Sequence, residues 1–193
     1  NMNDDSYEAS LRTQVDYLLI APVLPEGQVR LARHLQFTEE PLQAQVDFTG
    51  RRGSREQFVM NGAVAGTNFY YKGTFVNRFS STLAYTNRLL VMDPFHASRD
   101  EGDFDGALRI DLKEKRVDID VVSAVDPKAA ARASHKAFEG ILASFEFNGP
   151  SRTEVVGSVY FGTNGVTQLR ASTVAERMSI YSFETDAMSF DVA

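Results

Sequence analysis

The stretch Leu108-Arg109-Ile110-Asp111-Leu112-Lys113-Glu114-Lys115-Arg116-Val117-Asp118-Ile119-Asp120-Val121 decides the fold. Leu108, Ile110 and Leu112 alternate with Arg109 and Asp111, while Val117, Ile119 and Val121 alternate with Asp118 and Asp120. Successive side chains of a strand point to opposite faces, so each half has one dry and one wet side. Residues 113–116 are a short polar connection, and the whole predicts an antiparallel hairpin. Arg109 faces Asp118 or Asp120 across the wet side, an exposed pairing that contributes about 0.2–1 kcal/mol.

The same period of two runs outward in both directions. Val29, Leu31, Leu35 and Phe37 alternate with Arg30, Ala32, His34 and Gln36, with Arg33 the one break, and Leu42, Ala44, Val46 and Phe48 alternate with Gln43, Gln45 and Asp47, with residues 38–41 as the turn between them. Residues 17–20, 57–64, 68–77, 82–92, 141–147 and 154–161 are rich in aromatic and β-branched residues and are expected as strands. Turn signals stand at Asn61-Gly62, Gly66-Thr67-Asn68, Asp93-Pro94, Asn148-Gly149-Pro150 and Thr163-Asn164-Gly165. The last predicts pairing of residues 155–161 with 166–171. Short strands about ten residues apart predict an all-β fold, an antiparallel β-barrel or sandwich of about 8–10 strands. One segment departs from the pattern. Asp126 as N-cap, Pro127 at the first position and an Ala-rich run to Lys136 predict one short helix. Residues 173–178 fit helix or strand. Residues 1–10 are expected as a disordered N-terminal tail and residues 11–193 as a single β-barrel-like domain.

Composition bounds the function. Of 193 residues, 43% are hydrophobic, with 14 Phe and 7 Tyr, which is enough to build a core. Lys and Arg number 20 against 26 Asp and Glu, a net charge of -6. Sequence-independent binding of nucleic acid needs a basic surface, so no nucleic-acid partner is expected. With no Cys there is no disulfide framework, thiolate metal site or Cys nucleophile. The longest apolar run, residues 17–25, is too short to cross a membrane as a helix. Residues 1–10 have no basic segment and no apolar run, so no signal peptide is expected within them; Asn1 ahead of Met2 looks like a cloning remnant, and a trimmed exported protein would begin the same way.

Sites of chemistry are few. His34, His96 and His135 are far apart, and no Gly-x-Ser-x-Gly accompanies them, so nucleophilic hydrolysis has no motif. The acidic stretch Asp100-Glu101-Gly102-Asp103-Phe104-Asp105-Gly106 has carboxylates for a hard cation. It lacks the later Glu, since Asp111 already fits a strand, and it reads as a solvated loop with no metal. Gly62, Gly66 and Gly73 do not lie between a strand and a helix, so they form no phosphate cradle. Arg51-Arg52-Gly53-Ser54-Arg55 reads as a soluble hairpin tip. The aromatic cluster at Phe69, Tyr70, Tyr71, Phe75, Phe79 and Tyr85 is more informative. Alternation puts Phe69, Tyr71, Gly73 and Phe75 on one face and Tyr70, Lys72 and Thr74 on the other. The first face reads as core. The second reading is a pocket or partner surface, with Tyr70, Tyr71, Phe75 and Tyr85 as candidate ligand-binding residues.

Residues 103–172 resemble the barrel domains of transferrin-binding protein B-type surface proteins of Gram-negative bacteria. The resemblance rests on Gly106-Ala107-Leu108-Arg109-Ile110-Asp111-Leu112, Phe138-Glu139-Gly140, Phe145-Glu146-Phe147-Asn148-Gly149 and Val156-Gly157-Ser158-Val159-Tyr160-Phe161-Gly162 with Asn164-Gly165. It implies an extracytoplasmic, non-catalytic β-barrel that binds, and it transfers no functional residue.

The expectation is therefore a non-enzymatic binding domain of an exported bacterial protein, periplasmic or extracellular rather than cytoplasmic. It engages a partner protein or a small hydrophobic ligand, uses no cofactor, and is compatible with a homodimer. A lipocalin-like carrier and a small-barrel enzyme without a recognisable motif are the alternatives.

Overall fold

The computed structural model describes residues 6–14, 34–38, 40–52, 54–128, 140, 142–161, 166–181 and 183–192. Its strands are β1 (Ser6–Thr13), β2 (Leu35–Phe37), β3 (Gln43–Arg51), β4 (Ser54–Tyr71), β5 (Thr74–Thr86) and β6 (Leu89–Arg99). They continue with β7 (Gly102–Asp111), β8 (Arg116–Ser123), β9 (Phe145–Phe147), β10 (Ser151–Tyr160), β11 (Gln168–Ile180) and β12 (Phe183–Val192). All twelve belong to one antiparallel sheet in the order β1-β3-β4-β5-β6-β7-β8-β10-β11-β12. The sheet is not closed: among the described pairings β1 stands at one end and β12 at the other. β2 and β3 lie end to end against β4, and β9 and β10 end to end against β11, so the twelve segments are ten strand positions in a meander.

The all-β expectation holds, and the hairpin that led to it is β7–β8, with Leu108 opposite Ile119 and Ile110 opposite Val117. β10 pairs with β11 as its turn signal predicts. Other turn signals were misleading. Asn61-Gly62 and Gly66-Thr67-Asn68 lie inside β4, and Asp93-Pro94 inside β6. The chain reverses instead at Lys72-Gly73 and Asn87-Arg88, two-residue connections with positive φ throughout (49°, 77°, 49° and 66°). That is the twist-compatible hairpin geometry. Residues 6–10, read from sequence as tail, are strand, because their backbone bonds to β3 regardless of the polar side chains they carry. The helix expected after Asp126 falls mostly outside the described residues. Its cap is seen, Lys128 N donating to Asp126 Oδ1 at 2.7 Å.

Register makes the two faces. One row crosses nine strands as Leu11, Val46, Gly62, Leu83, Met92, Leu108, Ile119, Gly157 and Leu169. The neighbouring row on the opposite face includes Ser10, Asp47, Asn61, Arg109, Asp118, Ser158 and Gln168. Ser10 Oγ donates to Asp47 and Ser158 Oγ to Asp118, both at 2.6 Å. Asp118 takes its ion pair from Arg116 at 2.9 Å, two residues along its own strand, although Arg109 is its cross-strand neighbour. The most buried apolar groups are Val46, Phe69, Val121, Val125, Ala175 and Met178. Beside them Ser123, Thr153 and Thr173 form a buried row of hydroxyls, with the two Thr oxygens 3.0 Å apart. Hydroxyls bonded to one another fill a crowded row without leaving a polar group unsatisfied.

Close approach explains the glycines better than turns do. At Gly106 φ is 156°, and a Cβ would stand 2.7 Å from Val121 Cα across the ladder. Gly106→Val is expected to destabilise the fold by roughly 2–4 kcal/mol, since backbone strain and overpacking act together. Gly73→Asn, in open space in a turn, is expected to change stability by less than about 1 kcal/mol. Urea midpoints of the two variants check the contrast; equal losses would sink it.

The β7–β8 turn has its own pH signature. Asp111 Oδ1 accepts from the N–H groups of Lys113 and Glu114, both at 2.9 Å. The bond from Glu114 leads in holding this carboxyl below its usual range. A carboxyl depressed in the folded state stabilises above its unfolded pKa, near 3.9, and that contribution is lost as pH falls through the folded value. Urea midpoints measured downward from pH 5 are therefore expected to fall less steeply in Asp111→Asn than in the parent chain.

Candidate functional site

β4, β5, β6 and β7 lie side by side, and their polar face carries the most functional side chains. One row is Thr67, Arg78, Ser98 and Asp103; the next on the same face is Ala65, Ser80, His96 and Asp105. The row between them, Gly66, Phe79, Ala97 and Phe104, points the other way. Thr67, Asn68, Asn77, Arg78, His96, Ser98 and Asp103 line an open depression of about 500 Å³. Small-molecule sites span about 300–1,000 Å³.

Two irregularities aim these side chains. β6 has one residue more than its neighbours between Met92 and Phe95, a bulge at Asp93-Pro94. Proline has no N–H for the ladder and suits such a place. The bulge keeps both Met92 and Phe95 on the apolar face and turns His96 toward Ser80 and Asp105. At Asn68 φ is 52°, so the alternation of β4 breaks there. Phe69 joins Phe37 and Phe79 on the apolar face, with ring centroids 5.8 and 6.4 Å away.

The polar groups are held in pairs. His96 Nδ1 and Asp105 Oδ1 are 2.6 Å apart. A carboxylate only accepts, so the proton lies on Nδ1, and in the neutral ring Nε2 is an acceptor. Asn77 Nδ2 donates to Asp100 Oδ1 at 2.7 Å. That bond fixes the amide, and Asn77 Oδ1 is buried without a hydrogen-bond partner among the described residues. Such an orphan costs about 1–3 kcal/mol. Arg99 bonds Glu101 through both Nε and Nη2, at 2.9 and 2.7 Å, which steadies the β6–β7 turn behind the depression. The acidic stretch is thus engaged by Asn77, Arg99 and His96, and among the described residues no three His, Asp or Glu gather to hold a metal.

Ser80, His96 and Asp105 stand in hydroxyl–imidazole–carboxylate order. A hydrolase needs more than that order: a nucleophile raised on a strained turn and fixed donors for the developing oxyanion. Ser80 sits within a regular strand. The depression presents donors on Arg78, Ser98 and Thr67 and acceptors on Asp103 and His96.

The four candidate aromatics are divided by the structure. Tyr70 and Phe75 are cross-strand partners with rings 5.1 Å apart, and Tyr70 is 38% exposed. The one-strand reading that separated these two onto opposite faces is corrected by the reversal at Lys72-Gly73. Phe69 is core, and Tyr70 follows it in the strand, so Tyr70 and Phe75 share the polar face with Thr67. Tyr71 is half-buried on the other side, with Lys72 Nζ 5.5 Å from its ring centroid. Tyr85 lies ten residues beyond Phe75 on β5, about 33 Å in an extended strand, against Phe58 at 5.7 Å. Of the depression's residues, His96 and Asp103 stand out in the sequence as chemistry, and Thr67 and Asn68 only as a turn signal, but Asn77, Arg78 and Ser98 do not. No local signal marks them, because only the ladder assembles them.

No protein-family model, no curated protein and no solved structure matches this chain. The resemblance to transferrin-binding protein B-type barrels therefore rests on the quoted residues alone.

Burial pushes the Tyr71 phenol above its ordinary value. A raised pKa leaves stability intact below the unfolded value, near 10, and removes it as pH rises through the folded value. Phenolate absorbance is expected to show a late tyrosine transition that is missing in Tyr71→Phe. An unchanged titration curve would show Tyr71 to be solvated.

Proposed function

We propose that this chain is a non-enzymatic binding domain of an exported bacterial protein, and that it engages its ligand or partner on the polar face of β4–β7. One observation carries the reading: polar side chains from four strands converge on a depression of about 500 Å³. Two of them, His96 and Asn77, are oriented in advance by their bonds to Asp105 and Asp100. Preorganised groups lose little entropy on binding, which favours recognition. The bacterial source and export are supported by the resemblance.

The half-buried apolar row from Leu83 through Met92, Leu108 and Ile119 favours a second reading, a carrier of a small hydrophobic molecule on the opposite face. Native mass spectrometry of the purified protein separates the two, since a retained apolar adduct would move the ligand to that face.

The expected outcome for the leading reading combines two results. Simple esters, glycosides and phosphates are not turned over, and a fragment library shifts the backbone amide resonances of Thr67, Asn77, Arg78, His96 and Ser98. Turnover abolished by His96→Ala would replace binding with catalysis.

A further inference from the structure

We propose that the ligand on this face is a neutral saccharide, an inference that rests on the binding reading above and names its chemical class. The depression mixes the two kinds of hydrogen-bonding group. Arg78 only donates, Asp103 only accepts, and Ser98 and Thr67 do both. Hydroxyl groups also do both, and vicinal hydroxyls satisfy such a mixture at close spacing. An apolar ligand would leave these groups unpaired, at about 1–3 kcal/mol for each one buried.

Charge narrows the class further. Arg78 and Asp103 oppose each other within the lining, while the nearby carboxylates of Asp100 and Asp105 are bonded to Asn77 and His96. A phosphorylated or carboxylated ligand would meet three Asp against one Arg and one His. A cation would be drawn by the carboxylates, but it only donates and so leaves the donors of Arg78 unmatched. A neutral, hydroxyl-rich ligand meets no repulsion and matches both kinds of group.

The same face supplies an apolar platform. Tyr70 and Phe75 pack at 5.1 Å, three residues along their strands from Thr67 and Arg78, about 10 Å away. An exposed ring beside polar groups suits the C–H face of a pyranose, whose rim carries the hydroxyls. An extended peptide fits less well, because peptides add to a free sheet edge and this depression lies between β4 and β7, inside the strand order.

Saturation-transfer NMR with glucose, galactose, mannose, N-acetylglucosamine and their β-linked disaccharides tests the class. Transfer to the ring protons of at least one is expected. Tyr70→Ala should weaken that sugar about three- to tenfold, and Asp103→Ala about ten- to a hundredfold. Both side chains are exposed, and an unchanged amide spectrum away from the site verifies folding. Sugar binding indifferent to both variants would place the ligand elsewhere and overturn the assignment. Absence of transfer from every sugar would overturn the saccharide class. In that case, shifts of the Thr67, Asn77 and Arg78 amides with non-sugar fragments would retain the binding reading, and no shifts with any fragment would remove it too.

Discussion

One additional residue in β6 governs which side chains reach the polar face of β4–β7. Side chains alternate with period two, so inserting a residue without a bulge would move everything beyond it to the other side of the sheet. The bulge at Asp93-Pro94 absorbs the insertion. Phe95 stays with Phe79, at 5.5 Å on the apolar face, and His96 meets Asp105 on the polar one. Asn68 plays a related part in β4, where its positive φ delivers Phe69 to the core and leaves Thr67 and Tyr70 outside. The depression exists between these two irregularities.

The rest of the sheet has a simpler logic. From β3 to β8 each strand pairs with the next, so these strands form with short connections and little loop-closure entropy, whereas β1 and β3, and β8 and β10, pair across longer stretches of chain. Rows of Leu, Ile, Val and Met face one way, and Asp, Arg, Ser and Gln the other. Where neighbouring backbones approach too closely for a Cβ, as at Gly106 and Gly157, glycine occupies the apolar row. Where β8, β10 and β11 bury hydroxyls, Thr153 and Thr173 bond to each other and Ser123 accepts from the Val125 N–H. The polar face is thereby left with hydrogen-bonding groups that packing does not consume.

Legibility in the sequence followed the range of the interaction. The hairpin of β7 and β8 was readable because alternation and the polar turn lie within one short segment. Gly62 and Gly66 misled for the opposite reason. A glycine admits a turn and a close cross-strand approach equally, and only the position of Val46 or Leu42 distinguishes them. Aromatic residues continue on both sides of Lys72-Gly73 and hide the reversal, which puts Phe75 on the same side as Tyr70. Tyr71 and Tyr85 looked like their neighbours in composition, yet one is half-buried behind Lys72 and the other is far along β5.

The sequence by itself determined an all-β antiparallel chain with one dry and one wet face, since side-chain periodicity and backbone stereochemistry are local properties. It also determined an acidic, Cys-free composition that narrows the chemistry available. Only the tertiary structure decided that the sheet is open, that β2 and β9 are pieces of interrupted strand positions, and that Thr67, Asn77, Arg78, His96, Ser98 and Asp103 share one depression. The reason is register. Residues as far apart as Thr67 and Asp103 become neighbours through three successive ladders, and a shift of one residue in any of them would send them to different faces.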